Sequence, residues 1–110
     1  MGEQWAKTVV VVATEFGRTA HVNGTGGTDH GTASTLILAG GALNPGGIVG
    51  DWPTLAPTKL FENRDLAPTL DIRQVFKGVL IEHLGVGGRA LETVVFPGSG
   101  GVRPVRGLIA

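Results

Sequence analysis

Glycine is the feature that most limits what this chain can fold into. Nineteen of the 110 residues are glycine, more than twice the usual share of about 7%. They stand in short groups within positions 24–27, 40–47, 87–88 and 98–101, separated by strongly patterned segments. This spacing indicates a folded α/β chain with long glycine-rich loops rather than a low-complexity repeat.

Three apolar runs predict strands. The run TVVVVAT (8–14) has no polar alternation, which is typical of a strand covered on both faces within a parallel sheet. TLILA (35–39) repeats this pattern, and TVVF (93–96) forms a shorter third run.

One helix is predicted between the second and third strands. Apolar residues recur at helical spacing from Ile72 to Leu84, with Asp65 as candidate N-cap, Pro68 in the first turn and Gly85 as the stop. A helix in this place permits one right-handed parallel crossover. The predicted fold is α/β: a partial parallel sheet of about three strands with one main helix.

The connections between these elements are long for a self-contained domain. Residues 15–34 separate the first two strands, and 40–64 precede the helix; loops of such length are usually functional. Two strands covered on both faces also need helices on both sides, and the chain supplies one. Residues 1–110 are therefore interpreted as a single domain or fragment, the C-terminal segment of something larger.

Composition excludes several function classes. Nine basic and nine acidic residues cancel, so we expect no nucleic-acid partner. The absence of cysteine excludes a disulfide scaffold, a thiolate nucleophile and a cysteine zinc site. Nothing approaches eighteen consecutive apolar residues, which predicts no membrane span, and the opening MGEQWAK is not a secretory signal.

Glu15 and Arg18 follow the first predicted strand directly. Ligands of open parallel sheets bind just beyond the carboxyl ends of strands, so chemistry is expected here. The simpler interpretation is that the two side chains form an ion pair with each other at the strand end, and the residues alone favour it slightly.

The loop sequence Thr28-Asp29-His30-Gly31 is the second candidate. Aspartate and neutral imidazole are good ligands for zinc and other divalent metals, and flanking glycines let the backbone approach an ion. An Asp-His pair is more often an ordinary turn with a solvated imidazole, because a metal site needs three or more ligands. Glu15, Asp29 and His30 together would supply three.

Several motifs in order resemble one family. VVVVATEFGRT, GGTDHGTAS, LILAGGALNPGGIVGDWP, NRDLAPTLDIRQVFKGVLIEHLGV and VVFPG resemble the C-terminal third of the DUF1501 proteins, bacterial proteins related to sulfatases in the alkaline-phosphatase superfamily. EFGRT followed by GTDHG is the specific part, and residues from Val102 onward carry least of the likeness. The resemblance implies the C-terminal part of an alkaline-phosphatase-like fold.

The resemblance also implies roles for single residues. Superfamily members bind metals through carboxylates and histidines that follow successive strands, and the metals clamp a phosphate or sulfate ester during attack. Glu15 stands where an acidic ligand is expected, although Phe16 departs from the usual Asp-His, and His30 stands at a later histidine ligand with Asp29 beside it. Arg18 would face the anionic oxygens of the substrate.

The implied function is a metal-dependent phosphate- or sulfate-ester hydrolase, of which this segment carries metal ligands but no nucleophile. The metal would be zinc, manganese or calcium, and the isolated chain is expected to be inactive. The alternative is a non-catalytic binding or structural segment. The resemblance suggests an exported protein, periplasmic or at the cell surface, and exposed sheet edges suggest self-association of the segment.

Overall fold

The structure, a computed structural model, describes residues 2–110 and combines short strands with one substantial helix. The strands are β1 (Val10–Val12), β2 (Gly17–Arg18), β3 (His30–Gly31) and β4 (Ile37–Ala39). The helical segments are 3-10 helices at Gly2–Lys7 and Pro57–Lys59, α1 (Ile72–Leu84), the short α2 (Gly88–Ala90) and a π-helical turn at Leu91–Val95. The mixed helix and strand content confirms that part of the predicted fold class.

The strands form two separate pairs, β1 with β4 and β2 with β3. In the second pair the strands are antiparallel, with Gly17 opposite Gly31 and Arg18 opposite His30. The predicted parallel sheet of about three strands is not observed within residues 2–110. One reason is that the crossover through α1 needs a strand after the helix, and the chain there stays helical.

The predicted third strand is corrected to a helical turn. Residues Leu91–Val95 continue from α2, and the amide of Phe96 donates to the carbonyl of Leu91 at 2.8 Å. The hydroxyl of Thr93 donates to the carbonyl of Arg89 at 2.8 Å, which satisfies its polar group inside the helical path. Leu91 is buried, so this anchor outweighs the β-propensity of the run.

The strands β1 and β4 are shorter and more exposed than the apolar runs predict. Val10, Val12 and Ile37 are each at least two-fifths exposed, so the expectation that both faces are covered is wrong for residues 2–110. Such uncovered apolar strands are open to association. Self-association of the chain stays a prediction.

The helix α1 begins later than the sequence predicts. Asp71 is its N-cap: the carboxylate accepts from the amide of Arg73 at 2.9 Å, while Gln74 Oε1 accepts from the Asp71 amide at 3.0 Å. The hydrogen bond from the Arg73 side chain lowers the pKa of Asp71. Asp65 is therefore not the cap, because this reciprocal pair fixes the start at Ile72. The predicted end is confirmed, since Gly85 has φ 68° and closes the helix.

One compact unit is built from residues 2–10, 38–49 and 71–110. Its buried apolar side chains come from α1, from the turn after α2 and from the two flanking segments: Ala42, Val75, Val79, Leu91 and Leu108. Glu82 ties the last segment to α1 by accepting from the amides of Gly107 and Leu108 at 3.1 and 3.2 Å. The bond from Gly107 is the main reason why the pKa of Glu82 is lowered.

The same unit contains a buried lysine. Lys77 in α1 is 1% exposed, and its Nζ donates to the carbonyls of Ser99 and Val102 at 2.7 and 2.9 Å. The ammonium therefore fastens the turn after Phe96 to the helix. Buried charges persist when hydrogen bonds satisfy them in this way.

The second compact unit consists of residues 11–37 and 50–70. Within these residues, all of which the structure describes, the two buried side chains are Thr19 and Asp65, and both are polar. The centre of this unit is thus a hydrogen-bonded network rather than an apolar core. The candidate site residues all belong to it.

Candidate metal and anion site

The antiparallel pair β2–β3 sets the geometry of the site. Gly17 of β2 lies opposite Gly31 of β3. A Cβ on Gly17 would lie 2.6 Å from the carbonyl oxygen of Gly31. Real Cβ atoms essentially never come closer than 3.0 Å, so the backbones can approach this closely only without side chains. The next pair in register places Arg18 opposite His30.

An open concavity of about 300 Å³ lies at this pair and is lined by Gly17, Arg18, Thr28, Asp29 and His30. Three of the four predicted site residues therefore share one surface. The Nε of Arg18 donates to the hydroxyl of Thr28, which holds the guanidinium from one side. A guanidinium has five N–H donors, so the terminal nitrogens stay available to an anion.

Asn23 organises the loop that carries Asp29. Its Oδ1 accepts from the amides of Thr25 and Gly27, both at 3.0 Å, and its Nδ2 donates to Asp29 Oδ1 at 3.0 Å. An asparagine that closes its own loop in this way is a common turn device. Because Oδ1 of Asp29 is engaged, Oδ2 is the oxygen that could face a cation.

Thr19 fixes the backbone of the same aspartate. The amide of Thr19 donates to the carbonyl of Asp29 at 3.0 Å, and the amide of Asp29 donates to Thr19 Oγ1 at 3.0 Å. The Asp29 backbone is therefore held through both its donor and its acceptor. Asp29 and His30 remain exposed, so both side chains are accessible to a ligand.

Asp65 is the fully buried member of this network, with 0% of its surface exposed. Its Oδ2 accepts from the amide and the hydroxyl of Thr32 at 3.1 and 2.8 Å, and its backbone pairs with that of Thr19 in an isolated antiparallel bridge. Oδ1 of Asp65 is buried and has no hydrogen-bond partner among residues 2–110.

Glu15 lies two residues before β2, outside the described lining of the concavity, and is exposed. Among residues 2–110 no ion pair joins it to Arg18, so the simpler interpretation from the sequence is not observed. The described residues also contain no group of three acidic or histidine side chains arranged to hold a metal. Metal binding by Glu15, Asp29 and His30 stays a prediction.

Comparison with known proteins gives one match. The model of a family described as a protein of unknown function (DUF1501) matches residues 1–95. The chain belongs to the DUF1501 family. No curated protein and no solved structure matches it.

The family match ends within the helical turn Leu91–Val95, before the C-terminal segment in which the motifs are weakest. It covers all five residues that line the concavity. No helix in the described part of this DUF1501 chain combines the length and apolar character that a membrane crossing requires.

Sequence reasoning missed the residues that hold this DUF1501 loop in shape. Asn23 had a detectable signal, because Asn followed by closely spaced glycines favours a side-chain-capped turn. Thr19, Thr32 and Asp65 had none, because Thr32 and Asp65 are 33 positions apart in the sequence and only the tertiary structure brings them together.

Proposed function

We propose that this chain is the C-terminal segment of a metal-dependent phosphate- or sulfate-ester hydrolase, to which it contributes metal ligands and an anion-binding arginine. Glu15, Asp29 and His30 bind a divalent metal, which is zinc, manganese or calcium, and Arg18 binds the oxygens of the anionic ester. This segment contributes no nucleophile to the reaction. An alkaline-phosphatase-like parallel sheet, with this chain as its C-terminal part, belongs to the same proposal.

The register of β2 and β3 is the observation that carries the proposal. It places Arg18 opposite His30, and Asp29 lines the same concavity. A carboxylate and an imidazole form a donor set that suits zinc and manganese, and the adjacent guanidinium suits a tetrahedral anion. A site that clamps an anionic ester needs these two functions side by side.

Residues of this chain would act by holding the substrate. A bound metal would supply Lewis-acid polarisation of an ester oxygen. The terminal nitrogens of Arg18 would donate to two oxygens of the anion at once, which fixes its orientation. Thr28 limits the freedom of the guanidinium through the hydrogen bond to Nε, so less entropy is lost when the anion binds.

The metal assignment is tested by titrating Zn²⁺ and Mn²⁺ into the ¹⁵N-labelled 110-residue chain while the imidazole signals are observed. Zn²⁺ should shift the His30 signals and Mn²⁺ should broaden them. His30→Ala and Asp29→Ala should each weaken Zn²⁺ binding at least tenfold. His21→Ala is the matched control, because His21 is an exposed histidine of the same loop and should leave binding unchanged. If His30 signals do not respond at millimolar metal, the assignment is wrong.

The anion assignment is tested separately with inorganic sulfate. Arg18→Gln should abolish the sulfate-dependent shifts of the Thr28 and Asp29 amides, and Arg18→Lys should keep only part of them because it loses the planar fork. Equal sulfate responses in wild type and Arg18→Gln would contradict the role of Arg18.

The loop also has an observation that favours the non-catalytic alternative. Asn23 already engages one oxygen of Asp29, and Thr19 satisfies its backbone, so the loop is ordered by protein groups alone. In that case Asp29 is a structural member of the turn. The Zn²⁺ titration distinguishes the two functions, since a structural loop predicts no saturable response of His30.

A further inference from the structure

The contacts around Asp65 reach the backbone of Asp29 and the residue after β3, on either side of His30. We propose that Asp65 is a positioning residue that holds the Asp29-His30 segment in the geometry needed for metal binding. The inference rests on the proposed function, because it concerns the same ligands. Asp65 itself is not a ligand.

The first connection runs through Thr32, the residue after β3. Asp65 Oδ2 accepts from both the amide and the hydroxyl of Thr32, at 3.1 and 2.8 Å. Thr32 is two residues from His30, so these bonds fix the point at which the chain leaves the ligand. A hydrogen bond to an ionised carboxylate is roughly twice as strong as one between neutral groups.

The second connection runs through Thr19. Its backbone pairs with that of Asp65, while its amide and hydroxyl hold the carbonyl and amide of Asp29. The neighbouring amide of Ala20 donates to the carbonyl of Arg64 at 2.7 Å. The segment is thus held at Asp29 and after His30 by contacts that connect to one buried residue, Asp65.

Burial makes this role specific to Asp65. Thr19 and Asp65 are the buried side chains of residues 11–37 and 50–70. No buried apolar side chain in this unit can therefore position the Asp29 and His30 backbone in place of Asp65. Arg64 is the nearest cation, and its Nε lies 3.8 Å from Oδ2, beyond hydrogen-bonding distance. The buried Oδ1 without a partner among residues 2–110 costs stability, and a surface carboxylate would not carry this cost.

The test uses Asp65→Asn, which keeps the shape and removes the charge. It should weaken Zn²⁺ binding about tenfold, the lower end of the effect seen when a residue supporting a metal ligand is changed. Thr32→Val, which loses the hydroxyl donor and keeps the amide, should weaken it less. Thr32→Ser should restore wild-type affinity. Asp51→Asn is the matched control, because Asp51 is exposed in the same unit and should have no effect.

A second measurement, made without metal, keeps the inference testable if binding is weak. Amide hydrogen exchange of Asp29 and Thr32 should accelerate about tenfold in Asp65→Asn. Exchange of the Gly27 amide should stay unchanged, because Asn23 holds it independently. This contrast separates loss of positioning from general unfolding.

The outcomes for the two proposals are distinct. If wild type binds Zn²⁺ and Asp65→Asn binds it equally well, the inference is overturned and the proposed function stands. If wild type shows no Zn²⁺ response, the proposed function fails, and the exchange measurement judges the role of Asp65 alone. Unchanged exchange of Asp29 and Thr32 in Asp65→Asn overturns the inference whatever the metal result.

Discussion

Replacing Gly78 with alanine should destabilise this protein, although the same change stabilises most helices. Gly78 is a buried residue in the middle of α1. In an exposed helix interior, glycine is about 1 kcal/mol less favourable than alanine, so propensity alone predicts a gain. The packing around this position reverses that sign.

The cause is a close backbone approach. A Cβ on Gly78 would overlap the carbonyl oxygen of Val105, because the two atoms would be closer than the 3.0 Å minimum seen for real Cβ contacts. It would also contact the Leu108 side chain at 3.5 Å. A carbonyl cannot rotate away as a side-chain end can. The amide of Val105 donates to the carbonyl of Gln74 at 2.9 Å, and Lys77 holds Val102 nearby, so the segment has little freedom to retreat.

The expected change in the free energy of unfolding is the cost of overpacking minus the gain in helix propensity. Overpacking of a filled site costs about 1–3 kcal/mol, and a backbone clash against a fastened segment belongs in the upper part of that range. Subtracting about 1 kcal/mol for the gain in helix propensity leaves a net loss of about 1–2 kcal/mol in the free energy of unfolding.

Urea unfolding followed by far-ultraviolet circular dichroism and linear extrapolation would measure this loss. Gly88→Ala is the matched control: a Cβ there meets nothing within 4 Å, so the change should be neutral or slightly stabilising. If Gly78→Ala is as stable as wild type or more so, the close approach between α1 and the segment at Val105 is refuted.

Two further changes test how the same unit is held together. Asp71→Ala should lower the free energy of unfolding by about 1 kcal/mol at pH 7 through loss of the N-cap. Because the Arg73 hydrogen bond lowers the pKa of Asp71 in the folded state, the charge-dependent part of this contribution is present above about pH 4 and is lost as the pH falls through the lowered value. Urea unfolding at pH 7 and pH 3 would show equal losses if this reasoning fails. Lys77→Met should cost about 1–3 kcal/mol, because the carbonyls of Ser99 and Val102 lose their buried donor; thermal unfolding that matches wild type would argue against it.

The helix α1 shows what could be predicted from local patterns. Its apolar periodicity and the stop at Gly85 are confirmed because both depend on residues within a few positions of each other. The predicted N-cap Asp65 is wrong and Asp71 is the cap, since both are aspartates that precede the apolar run. Only the reciprocal bonds between Asp71 and Gln74 distinguish them.

The run at 93–96 shows where propensity misleads. Its β-branched residues favour a strand in isolation, whereas in the structure Leu91 is buried and the run continues the helical path. Burial of one anchor is a property of the whole unit, so a local pattern could not reveal it.

Local sequence patterns establish which residues are available for chemistry: Arg18, Asp29 and His30, in a glycine-rich region of a chain without cysteine. The same patterns predict α1, because helical periodicity depends on residues that are close together in the sequence. The pairing of Arg18 with His30 across an antiparallel pair, and the contact of Asp65 with Thr32 just after His30, depend on the tertiary structure. These contacts join residues ten to thirty-three positions apart in the sequence. They form only when the folded backbone brings the residues together, so the preferences of neighbouring residues do not predict them.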